Sequence, residues 1–404
     1  MVESDSGSRS ARLLVLGAGP AQVGLLEAAR ARGLWVAAVD RDPAALGFAF
    51  ADRRCILSTE DEPAIDRLVG ALQIDGIIAP GTDWPVGVAA RIAERAGLRH
   101  PVSAQTAVLA TNKLRQRERL DEAGVPQPRW WVVGGDDELP RVDGPVVVKA
   151  PDRQGQKGLT LVEDPGVLEH AIDTARSAAR SGLALVEELV DGPEVTVIGF
   201  SAAGELTTLL VTDRVVAEPP AFGVALAHVW PVSDTSTVSD IHDTVRAAVS
   251  ALGITDGPSY TQVRVGADGP HVIEVAARLG GGHDAELVEA VTGVDLNGLA
   301  IEAALGRTHV PGWHKPRVGG AVTRFLVAPP GVLEGIDVPE RLEGVERVRI
   351  YRGPGYVLVP LRRGSDRAGA ILAVGESRDE AVERAERAAA QVVFRVATEP
   401  ALAG

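Results

Sequence analysis

The sequence predicts a protein of the α/β class, with α+β parts, that is divided into several domains. Strand and helix patterns alternate through residues 11–101, which is typical of a parallel sheet covered by helices on both faces. Later strand patterns follow one another through short polar turns, as in antiparallel hairpins. A chain of 404 residues has room for roughly two to four domains. We expect a disordered tail at 1–10, a first domain at 11–101, a central domain at 102–315 and a small β-rich domain at 316–404.

Composition excludes several classes of protein. The formal net charge of −14 argues against nucleic acid as the main partner. No apolar run is long enough to span a membrane, and residues 1–10 lack the apolar centre of a secretory signal. We therefore expect a cytoplasmic protein without a membrane partner. Cys55 is the only cysteine, which excludes intrachain disulfides and favours a buried strand residue.

Lysine is rare in this arginine-rich chain. It occurs only at Lys113, Lys149, Lys157 and Lys315. Compositional drift explains the abundance of arginine, but it does not explain why three of the four lysines fall within one segment. These three positions therefore require a separate explanation.

Residues 12–40 predict a strand, a glycine turn, a helix and a second strand, as in half of a Rossmann domain. Gly17 and Gly19 match the first two glycines of a dinucleotide-binding turn, but Gln22 stands at the third glycine position. Asp40 ends the second strand and fits either a ribose contact or the start of a loop. The pattern favours a half-Rossmann scaffold or substrate wall over true NAD binding.

Two further polar residues each have two interpretations. Asp83 follows the carboxyl end of a predicted strand, where α/β sheets bind ligands. Asp83 could contact a substrate there, but capping the next helix is the favoured interpretation. His228 either faces a substrate or is an ordinary, partly buried histidine.

A predicted hairpin carries two of the lysines. Its first strand, residues 146–149, ends at Lys149, and a polar turn with Gly155, Gly158 and Lys157 follows. Such a tip can fold over a polyphosphate through backbone N–H groups and lysine, although a solvated turn would look similar. A lysine that closes a buried strand usually needs an anionic partner, so phosphate binding is favoured.

The next predicted hairpin carries carboxylates. Glu187 and Glu188 interrupt an apolar run, and Glu194 follows an Asp-Gly-Pro turn. Backbone groups that leave a strand suit an adenine edge, and a carboxylate suits the paired hydroxyls of ribose. The local sequence by itself would indicate only solvent-facing carboxylates at the edge of a hairpin.

Residues 272–284 combine a carboxylate, an arginine and three consecutive glycines. On a strand, Glu274 and Arg278 would point to the same face, and Asp284 would cap the helix that follows. A hairpin can place Gln262 beside Glu274, and oxygen ligands on neighbouring strands suit Mg²⁺. This set is what phosphoryl transfer requires. An edge strand with a surface salt bridge is the simpler interpretation.

The last predicted domain contains short strands and a closing helix at 378–394. It shows no strong catalytic constellation. Its arginines are loose candidates for a site, and they are Arg324, Arg352, Arg362 and Arg367.

Taken in order, these motifs resemble the ATP-grasp superfamily, and most closely its carboxylate–amine ligase branch, which includes the L-amino-acid ligases. The motifs are G-A-G-P-A-Q-V-G, T-N-K-L-R-Q-R, A-G-V-P-Q-P, V-V-V-K-A-P-D-R-Q-G-Q-K-G, V-E-E-L-V-D-G-P-E-V-T-V, I-E-V-A-A-R-L-G-G-G-H and R-A-G-A-I-L-A-V-G-E-S-R-D-E-A. The resemblance covers nearly the whole chain. It implies a half-Rossmann first domain, an ATP-grasp central domain with a mobile lid at about 125–200, and a small C-terminal α+β domain.

The resemblance also implies roles for individual residues. Those implied for ATP are Lys113, Lys149, Gln154, Gly155, Lys157, Gly158, Glu187, Leu189 and Glu194. Those implied for the metal are Gln262 and Glu274, and those implied for catalysis are Lys149, Glu274 and Arg278. Those implied for the other substrates are Asp83, His228, Arg278, Gly281, Gly282 and His283.

The implied reaction is ATP-dependent ligation of a small-molecule carboxylic acid to an amine through an acyl phosphate, with ADP and phosphate released. The implied cofactors are ATP and one or two Mg²⁺ ions, with Mn²⁺ as an alternative. A homodimer is one possible assembly, and the oligomeric state stays open. Many members have glutamate in place of Gln262 and asparagine in place of Ala276, which bears on the number of ions.

Two other interpretations stay open. One is a carboxylase or formate-activating enzyme of the biotin or purine type, and the other is a non-catalytic nucleotide-binding or NAD-binding protein.

Overall fold

The computed structural model describes residues 9–135, 137–312 and 315–397. The tail predicted at residues 1–10 lies almost entirely outside this part of the chain. Among the described residues, no helix is both long enough and apolar enough to cross a lipid bilayer.

The described residues form helices and strands of ordinary length. The helices are α1 (Val23–Ala31), α2 (Glu62–Leu72), α3 (Trp84–Ala96), α4 (Ala104–Thr111), α5 (Lys113–Glu122), α6 (Leu168–Ala178), α7 (Val238–Ala251), α8 (Asp284–Thr292), α9 (Leu296–Ala304) and α10 (Arg378–Gln391). The strands are β1 (Arg12–Leu16), β2 (Trp35–Asp40), β3 (Arg53–Ile56), β4 (Gly76–Ile78), β5 (Trp130–Val133), β6 (Val146–Lys149), β7 (Thr160–Val162), β8 (Ala184–Glu188), β9 (Glu194–Ala202), β10 (Glu205–Val216), β11 (Ala225–Trp230), β12 (Gly257–Gly266), β13 (Gly269–Ala276), β14 (Gly320–Leu326), β15 (Gly331–Asp337), β16 (Val345–Ile350), β17 (Val357–Leu358), β18 (Gly369–Gly375) and β19 (Val393–Ala397).

The first sheet is parallel, as the alternating pattern predicts, with strand order β3-β2-β1-β4. Its central strand β1 is apolar on both faces because helices cover both faces. Leu14 packs with residues of α2 and α3, and Leu13 packs with residues of α1 on the other face. Cys55 is buried in β3. The loops that follow β1 and β4 therefore emerge at one edge of the sheet.

A second sheet is antiparallel, with strand order β5-β8-β6-β7, and α6 packs against it. Val146, Val148 and Val186 form its core with Ile172 of α6. This sheet and α6 form the lid, the name used below. Lys149 is the last residue of β6 and pairs with Leu185 of β8. Its side chain therefore lies at the end of the strand, next to the polar turn.

The largest sheet has eight strands in the order β13-β12-β9-β10-β11-β14-β18-β16. Strand β14 pairs with β11 and continues the sheet from the central segment into the C-terminal segment. A Gly-rich hairpin joins β12 to β13 and sets Gln262 directly opposite Glu274. The C-terminal strands are therefore rigidly connected to the strands that carry the candidate metal ligands.

A small third sheet, β17-β15-β19, completes the C-terminal segment. The predicted closing helix at 378–394 is too long, because α10 ends at Gln391 and Val393–Ala397 forms β19. The sequence after Gln391 is Val-Val-Phe-Arg-Val, and its β-branched and aromatic residues suit a pleated strand better than a helix.

Candidate active site

One cavity of about 470 Å³ brings together most of the candidate residues. The lid, strands β12 and β13, loops of the first sheet and the C-terminal segment all contribute to its walls. The candidate residues that line it are Asp83, Lys113, Lys149, Gln154, Gly155, Lys157, Glu187, Leu189, Glu194, His228, Gln262, Glu274, Arg278, Gly281 and Gly282. Gly158 and His283 lie behind the wall rather than on it.

Glu187 is the centre of a buried ion cluster. Its carboxylate accepts from Arg117 Nε at 2.8 Å and lies 2.6 Å from Lys149 Nζ. Burial opposes ionisation of Glu187, but the two cations lower its pKa. Burial lowers the pKa of Lys149, with Glu187 opposing and Arg117 reinforcing the shift. Two cations share one carboxylate, so Lys149 brings an excess positive charge to the cavity wall, which an anionic ligand would neutralise.

Lys113 and Glu274 form a second ion pair, with 3.0 Å between Nζ and Oε1. Lys113 Nζ also donates to Arg153 O at 3.0 Å, which ties the first residue of α5 to the turn after β6. Burial alone would raise the pKa of Glu274, but the charge and hydrogen bond of Lys113, with Lys149 and Arg278 nearby, lower it to about 2. Glu274 is therefore an ionised carboxylate at neutral pH.

Glu274 and Gln262 are the residues that fit a metal ion. They face each other across β12 and β13, and both line the cavity. The described residues contain no group of three or more His, Cys, Asp or Glu side chains that could hold a metal alone. Mg²⁺ is often held by only one or two protein oxygens, with water and substrate phosphates completing its octahedron. The residues present fit such a shared site.

The turn after β6, residues 150–158, forms the tip of the lid and closes over the cavity. Gln154 Oε1 accepts from the backbone N–H of Asp83 at 2.5 Å, and Gln156 Oε1 accepts from the backbone N–H of Gly364 at 3.2 Å. Gly158 has φ of +70°, and a Cβ there would lie 2.7 Å from the Cβ of Ala178. Glycine is therefore required where the turn passes α6.

Glu194 is held between two arginines at the start of β9. Its carboxylate lies 3.0 Å from Arg214 Nη1 and 3.6 Å from Arg264 Nε. Leu189 also lines this end of the cavity, and its backbone N–H already donates to Pro145 O at 2.9 Å. The cavity wall at this end therefore consists of a carboxylate held by two arginines and of the side chain and carbonyl of Leu189.

Arg278 lies in the turn after β13, which ends at Ala276. Its Nε and Nη2 are each 2.6 Å from Asp83 Oδ1, and its guanidinium lies 5.5 Å from the centre of the Tyr260 ring. Asp83 is the N-cap residue of α3, but its side chain makes no capping hydrogen bond. The simpler interpretation of Asp83 as a helix cap is therefore wrong, because its carboxylate binds Arg278 instead.

The glycine turn between Arg278 and α8 is closely packed. A Cβ on Gly281 would lie 3.1 Å from Gly81 O, and one on Gly282 would lie 3.0 Å from His228 Nε2. The prediction that Asp284 caps the helix is wrong, because it is the first residue of α8, and its Oδ2 accepts from the backbone N–H of Gly282 at 3.0 Å. Asp284 therefore stabilises the glycine turn that precedes α8 through this hydrogen bond.

The two candidate histidines have different positions. Burial lowers the pKa of His228 to about 4, against the opposing charge of Asp284, so its imidazole is neutral at pH 7. His228 Nδ1 is buried without a hydrogen-bond partner. His283 lies behind the wall, where its Nε2 is 2.5 Å from the hydroxyl of Tyr351, a residue that does line the cavity. His283 thus supports the wall through Tyr351.

The first glycine turn has its own partners. Asp40 Oδ2 accepts from the N–H of Ala18 at 2.9 Å, and Oδ1 accepts from the N–H of Asp42 at 3.0 Å. Gln22 Nε2 donates to Pro80 O at 2.7 Å, and the Gln22 side chain lies 3.0 Å from the position of a Cβ on Gly17. Asp40 therefore joins the loops that follow β1 and β2, and Gln22 joins the loops that follow β1 and β4.

Several residues of the cavity and its buried ion clusters escape reasoning from the sequence. They are Arg117, Arg214, Tyr260 and Tyr351. Arg117 had a usable signal, because it lies four residues after Lys113 and thus on the same face of a helix. The others come from distant strands whose pairing is not visible in local patterns.

Comparison with known proteins agrees with this geometry. Residues 142–286 match the family model of the ATP-grasp domain. Residues 324–397 match that of the L-amino acid ligase C-terminal domain 2.

Three relatives illustrate the likeness. The chain is 31% identical to the uncharacterized protein y4rH of Sinorhizobium fredii over 298 residues, which are 70% of this chain and 61% of that protein. It is 28% identical to a formate-dependent phosphoribosylglycinamide formyltransferase of Burkholderia lata, over 94% of this chain and 95% of the relative. The crystal structure of an L-amino acid ligase from Bacillus licheniformis has the same fold, with a TM-score of 0.82, 24% identity and coverage of 97% of this chain and 100% of that one.

The two domain matches lie in the order that the motifs predict, and the matched ATP-grasp region contains Lys149, Glu187, Glu274 and Arg278 of the cavity. The chain therefore carries the ATP-grasp domain of ADP-forming ligases at residues 142–286, followed at residues 324–397 by the C-terminal domain 2 of the L-amino acid ligases.

Proposed function

We propose that the protein joins a small carboxylic acid to an amine at the expense of ATP. The acid's oxygen attacks the γ-phosphorus, the bond from the γ-phosphorus to the bridging oxygen of ADP breaks, and an acyl phosphate forms. The amine nitrogen then attacks the acyl carbon, the carbon–oxygen bond to phosphate breaks, and the amine loses a proton. The products are an amide, ADP and phosphate.

One observation carries this proposal. A single cavity contains an excess cation at Lys149, an ionised carboxylate at Glu274 opposite Gln262, and the guanidinium of Arg278 beside a glycine turn. Lys149 and Lys113 would bind the phosphates of ATP, and Glu194 the ribose. Arg278 and the N–H groups of Gly281 and Gly282 would hold the transferred phosphoryl group, where fixed donors stabilise developing charge.

The residues also set the expected metal requirement. Glu274 and Gln262 would hold Mg²⁺ together with the phosphates of ATP, and the ion would neutralise charge on the transferred group. Because Gln262 is uncharged, we propose that one ion is bound strongly and that any second ion is bound more weakly. Glu274 has to exchange Lys113 for the ion, which leaves Lys113 free to bind a phosphate oxygen.

Lid closure has a chemical purpose in this reaction. An acyl phosphate is hydrolysed if water reaches it, so the tip of the lid has to exclude water while the amine is bound. The bonds from Gln154 to Asp83 and from Gln156 to Gly364 hold the tip over the cavity. Substrates are therefore expected to be small molecules that fit beside ATP in the cavity beneath the tip of the lid.

The test is a screen of acids crossed with amines, read as ADP and phosphate release and followed by mass spectrometry of the products. We expect ADP release that requires both an acid and an amine, with an amide as the product. The Lys149→Met protein, purified in parallel, should show no release above background. ADP release that never depends on an amine would contradict the proposal.

Formate activation is a second candidate. The supporting observation is the 28% identity to a formate-dependent phosphoribosylglycinamide formyltransferase along 94% of this chain. Formate and bicarbonate therefore belong in the acid panel. If one of them supports ADP release and amino or organic acids do not, the second candidate replaces the first.

A further inference from the structure

Three buried side chains, called the triad below, form a row that ends at the cavity wall. They are Glu286 of α8, His283 at the N-terminus of α8, and Tyr351 directly after β16. Glu286 Oε1 lies 3.6 Å from His283 Nδ1, and His283 Nε2 lies 2.5 Å from the Tyr351 hydroxyl. Tyr351 lines the cavity, whereas Glu286 and His283 lie behind its wall. The hydroxyl is therefore the group of the triad that a substrate can reach.

The charge of Glu286 sets the direction of the hydrogen bond between the other two side chains. Burial opposes ionisation of Glu286, but His283 and Arg349 lower its pKa to about 2, so it is ionised at neutral pH. A nearby negative charge favours the imidazole proton on Nδ1, and Nε2 then accepts from the Tyr351 hydroxyl. Burial raises the pKa of Tyr351, so the hydroxyl keeps its proton. The Tyr351 oxygen therefore donates to His283 and keeps lone pairs for a donor in the cavity.

The backbone of His283 indicates that its side chain has a specific task. Its φ is +61°, a left-handed conformation that is uncommon for residues with a Cβ. The side chain makes no capping hydrogen bond to α8, so helix capping does not explain the strain. Strained residues of this kind cluster at active sites. His283 directly follows Gly282, so the triad ends beside the glycine turn that would hold the acyl phosphate.

The proposed reaction requires a proton acceptor at this place, because the amine loses a proton as it attacks. His228 also lines the cavity, but burial lowers its pKa to about 4, which makes it a weak acceptor. The carboxylates that line the cavity each have a cationic partner. They are Asp83 with Arg278, Glu187 with Lys149, Glu188 with Arg129, Glu194 with Arg214, and Glu274 with Lys113.

We infer that Tyr351 is a catalytic residue that accepts the proton of the attacking amine, with His283 and Glu286 as its positioning residues. This inference rests on the proposed ligase function. As the carbon–nitrogen bond forms, an N–H bond of the amine breaks, its electron pair stays on nitrogen, and the proton moves to the Tyr351 oxygen. The O–H bond of Tyr351 breaks at the same time, and that proton moves to His283 Nε2. The charge of Glu286 stabilises the imidazolium, and the proton returns to water by the same route when the amide leaves.

The experiment measures the two chemical steps separately, in a rapid-quench series with the acid and amine identified in the screen. ADP reports formation of the acyl phosphate, mass spectrometry reports the amide, and hydroxylamine in the quench converts remaining acyl phosphate to a hydroxamate. Tyr351→Phe keeps the ring and removes the hydroxyl. We expect ADP formation at the wild-type rate, amide formation slower by about 10²–10⁴, and accumulation of acyl phosphate.

Three further variants complete the series. Tyr356→Phe is the matched control, because Tyr356 is 44% exposed and does not line the cavity, and it should change neither step. His283→Asn keeps a residue that tolerates the left-handed backbone, and Glu286→Gln keeps the shape and removes the charge. Both should slow amide formation and leave ADP formation unchanged. Thermal melting confirms that the variants fold, and these two decide the question if Tyr351→Phe does not.

A pH profile separates proton transfer from mere support of the wall. The ratio of the wild-type rate of amide formation to the His283→Asn rate cancels the titration of the amine itself. We expect this ratio to fall as the pH falls, because a protonated histidine can accept nothing from Tyr351. The other charged groups around the triad are the same in both proteins, and they are Glu27, Glu286, Arg347, Arg349, Arg352 and Arg367.

Failure of the inference is distinct from failure of the proposed function. If Tyr351→Phe and Tyr356→Phe form amide equally fast, or if Tyr351→Phe slows ADP formation as much as amide formation, the inference is wrong and the ligase function stands. A rate ratio that is constant with pH would overturn the role of His283. If no acid and amine support ADP release by the wild-type protein, the ligase function is wrong and the inference fails with it.

Discussion

Lys149 shows how burial and charge together prepare a residue for an anion. The lysine ends a buried strand, and its single carboxylate partner, Glu187, is also bound by Arg117. The three side chains carry a net positive charge in a place where water cannot neutralise it. A phosphate oxygen at the cavity wall completes the set.

Lys149→Met is expected to abolish ATP turnover and to preserve the fold. The methionine keeps most of the volume, and Glu187 keeps Arg117, so no buried charge is left unpaired. Loss of a preorganised phosphate contact should lower the rate by about 10²–10³. ADP release and thermal melting measure the two effects. Lys315→Met removes an exposed lysine outside the cavity and should change neither, and normal turnover in Lys149→Met would contradict the assignment.

Arg278→Lys is expected to separate binding from chemistry. Lysine keeps the charge, but it cannot donate from two nitrogens to Asp83 and present further donors to a phosphoryl group. We expect nearly normal ATP affinity and single-turnover ADP formation that is slower by about 10²–10³.

Arg246→Lys is the control, because this arginine pairs with Asp243 on the exposed face of α7. Equal single-turnover rates for Arg278→Lys and Arg246→Lys would show that Arg278 only forms a structural ion pair.

The residues that reasoning from the sequence finds and misses have a physical explanation. Lys113, Lys149 and Lys157 are visible because the chain has only four lysines. Arg117 and Arg214 are hidden among 37 arginines, and only tertiary packing distinguishes a buried guanidinium from a solvated one. The roles of the site residues in ATP binding and catalysis stay predictions that the variants above test.

At the scale of elements, α1 shows how one glycine joins two parts of the fold. Gly24 lies in α1 against α8 and α9, where a Cβ would be 2.1 Å from Glu286 Oε1 and 3.2 Å from Asn297 Nδ2. Glu286 is buried and its Oε1 lies 3.3 Å from Arg349 Nη2 and 3.6 Å from His283 Nδ1, so displacing its carboxylate would strain both contacts. The first sheet can approach the central segment this closely only because the position has no side chain.

Gly24→Ala is therefore expected to destabilise the protein, although alanine is the better helix former. Overpacking of this kind typically costs about 1–3 kcal/mol. Gly70→Ala is the matched control, since Gly70 is exposed in α2 and a Cβ there would meet nothing within 4 Å, and it should stabilise by about 0.5–1 kcal/mol. Denaturant unfolding of both variants measures the difference, and two shifts of the same sign would refute the steric account of Gly24.

The elements that the sequence predicts well are those with a local signal. The βαβ units of the first sheet and the hairpin of β12 and β13 follow from periodicity and turn residues. Strands β5, β15 and β19 escape prediction, because they are partly exposed and lack a clear alternation of apolar and polar residues. β15 pairs with β19, which lies at the far end of the C-terminal segment. Each strand is stabilised by a partner that is distant in sequence, so the local sequence of either one gives no signal.

At the scale of the whole molecule, the lid is fastened to the first domain as well as to the cavity. Arg180, just after α6, pairs with Glu60 at 2.6 Å and lies 3.5 Å from the centre of the Trp84 ring. These contacts are near the protein surface, where each ion pair contributes little to stability. The lid is therefore held by a few weak contacts that ATP binding can reinforce.

Limited trypsin digestion tests whether ATP orders the tip of the lid. Lys157 is exposed at the tip and offers a cleavage site, and a non-hydrolysable ATP analogue should slow cleavage there. Cleavage after the exposed Arg341, in a loop of the C-terminal segment, is the internal control and should not respond to the analogue. Arg180→Gln should speed cleavage at Lys157 in the absence of nucleotide, and equal rates at Lys157 with and without the analogue would contradict lid closure.

The two glutamines at the tip of the lid have a consequence for how the substrate range of such an enzyme changes over evolutionary time. Gln154 and Gln156 accept from the backbone N–H groups of Asp83 and Gly364, and every amino acid except proline supplies that donor. Side chains at the rim of the cavity can therefore be exchanged by mutation without removing the contacts that close it. A descendant that alters the neighbours of Asp83 and Gly364 to accept a new acid or amine therefore keeps the hydrogen bonds that close the lid.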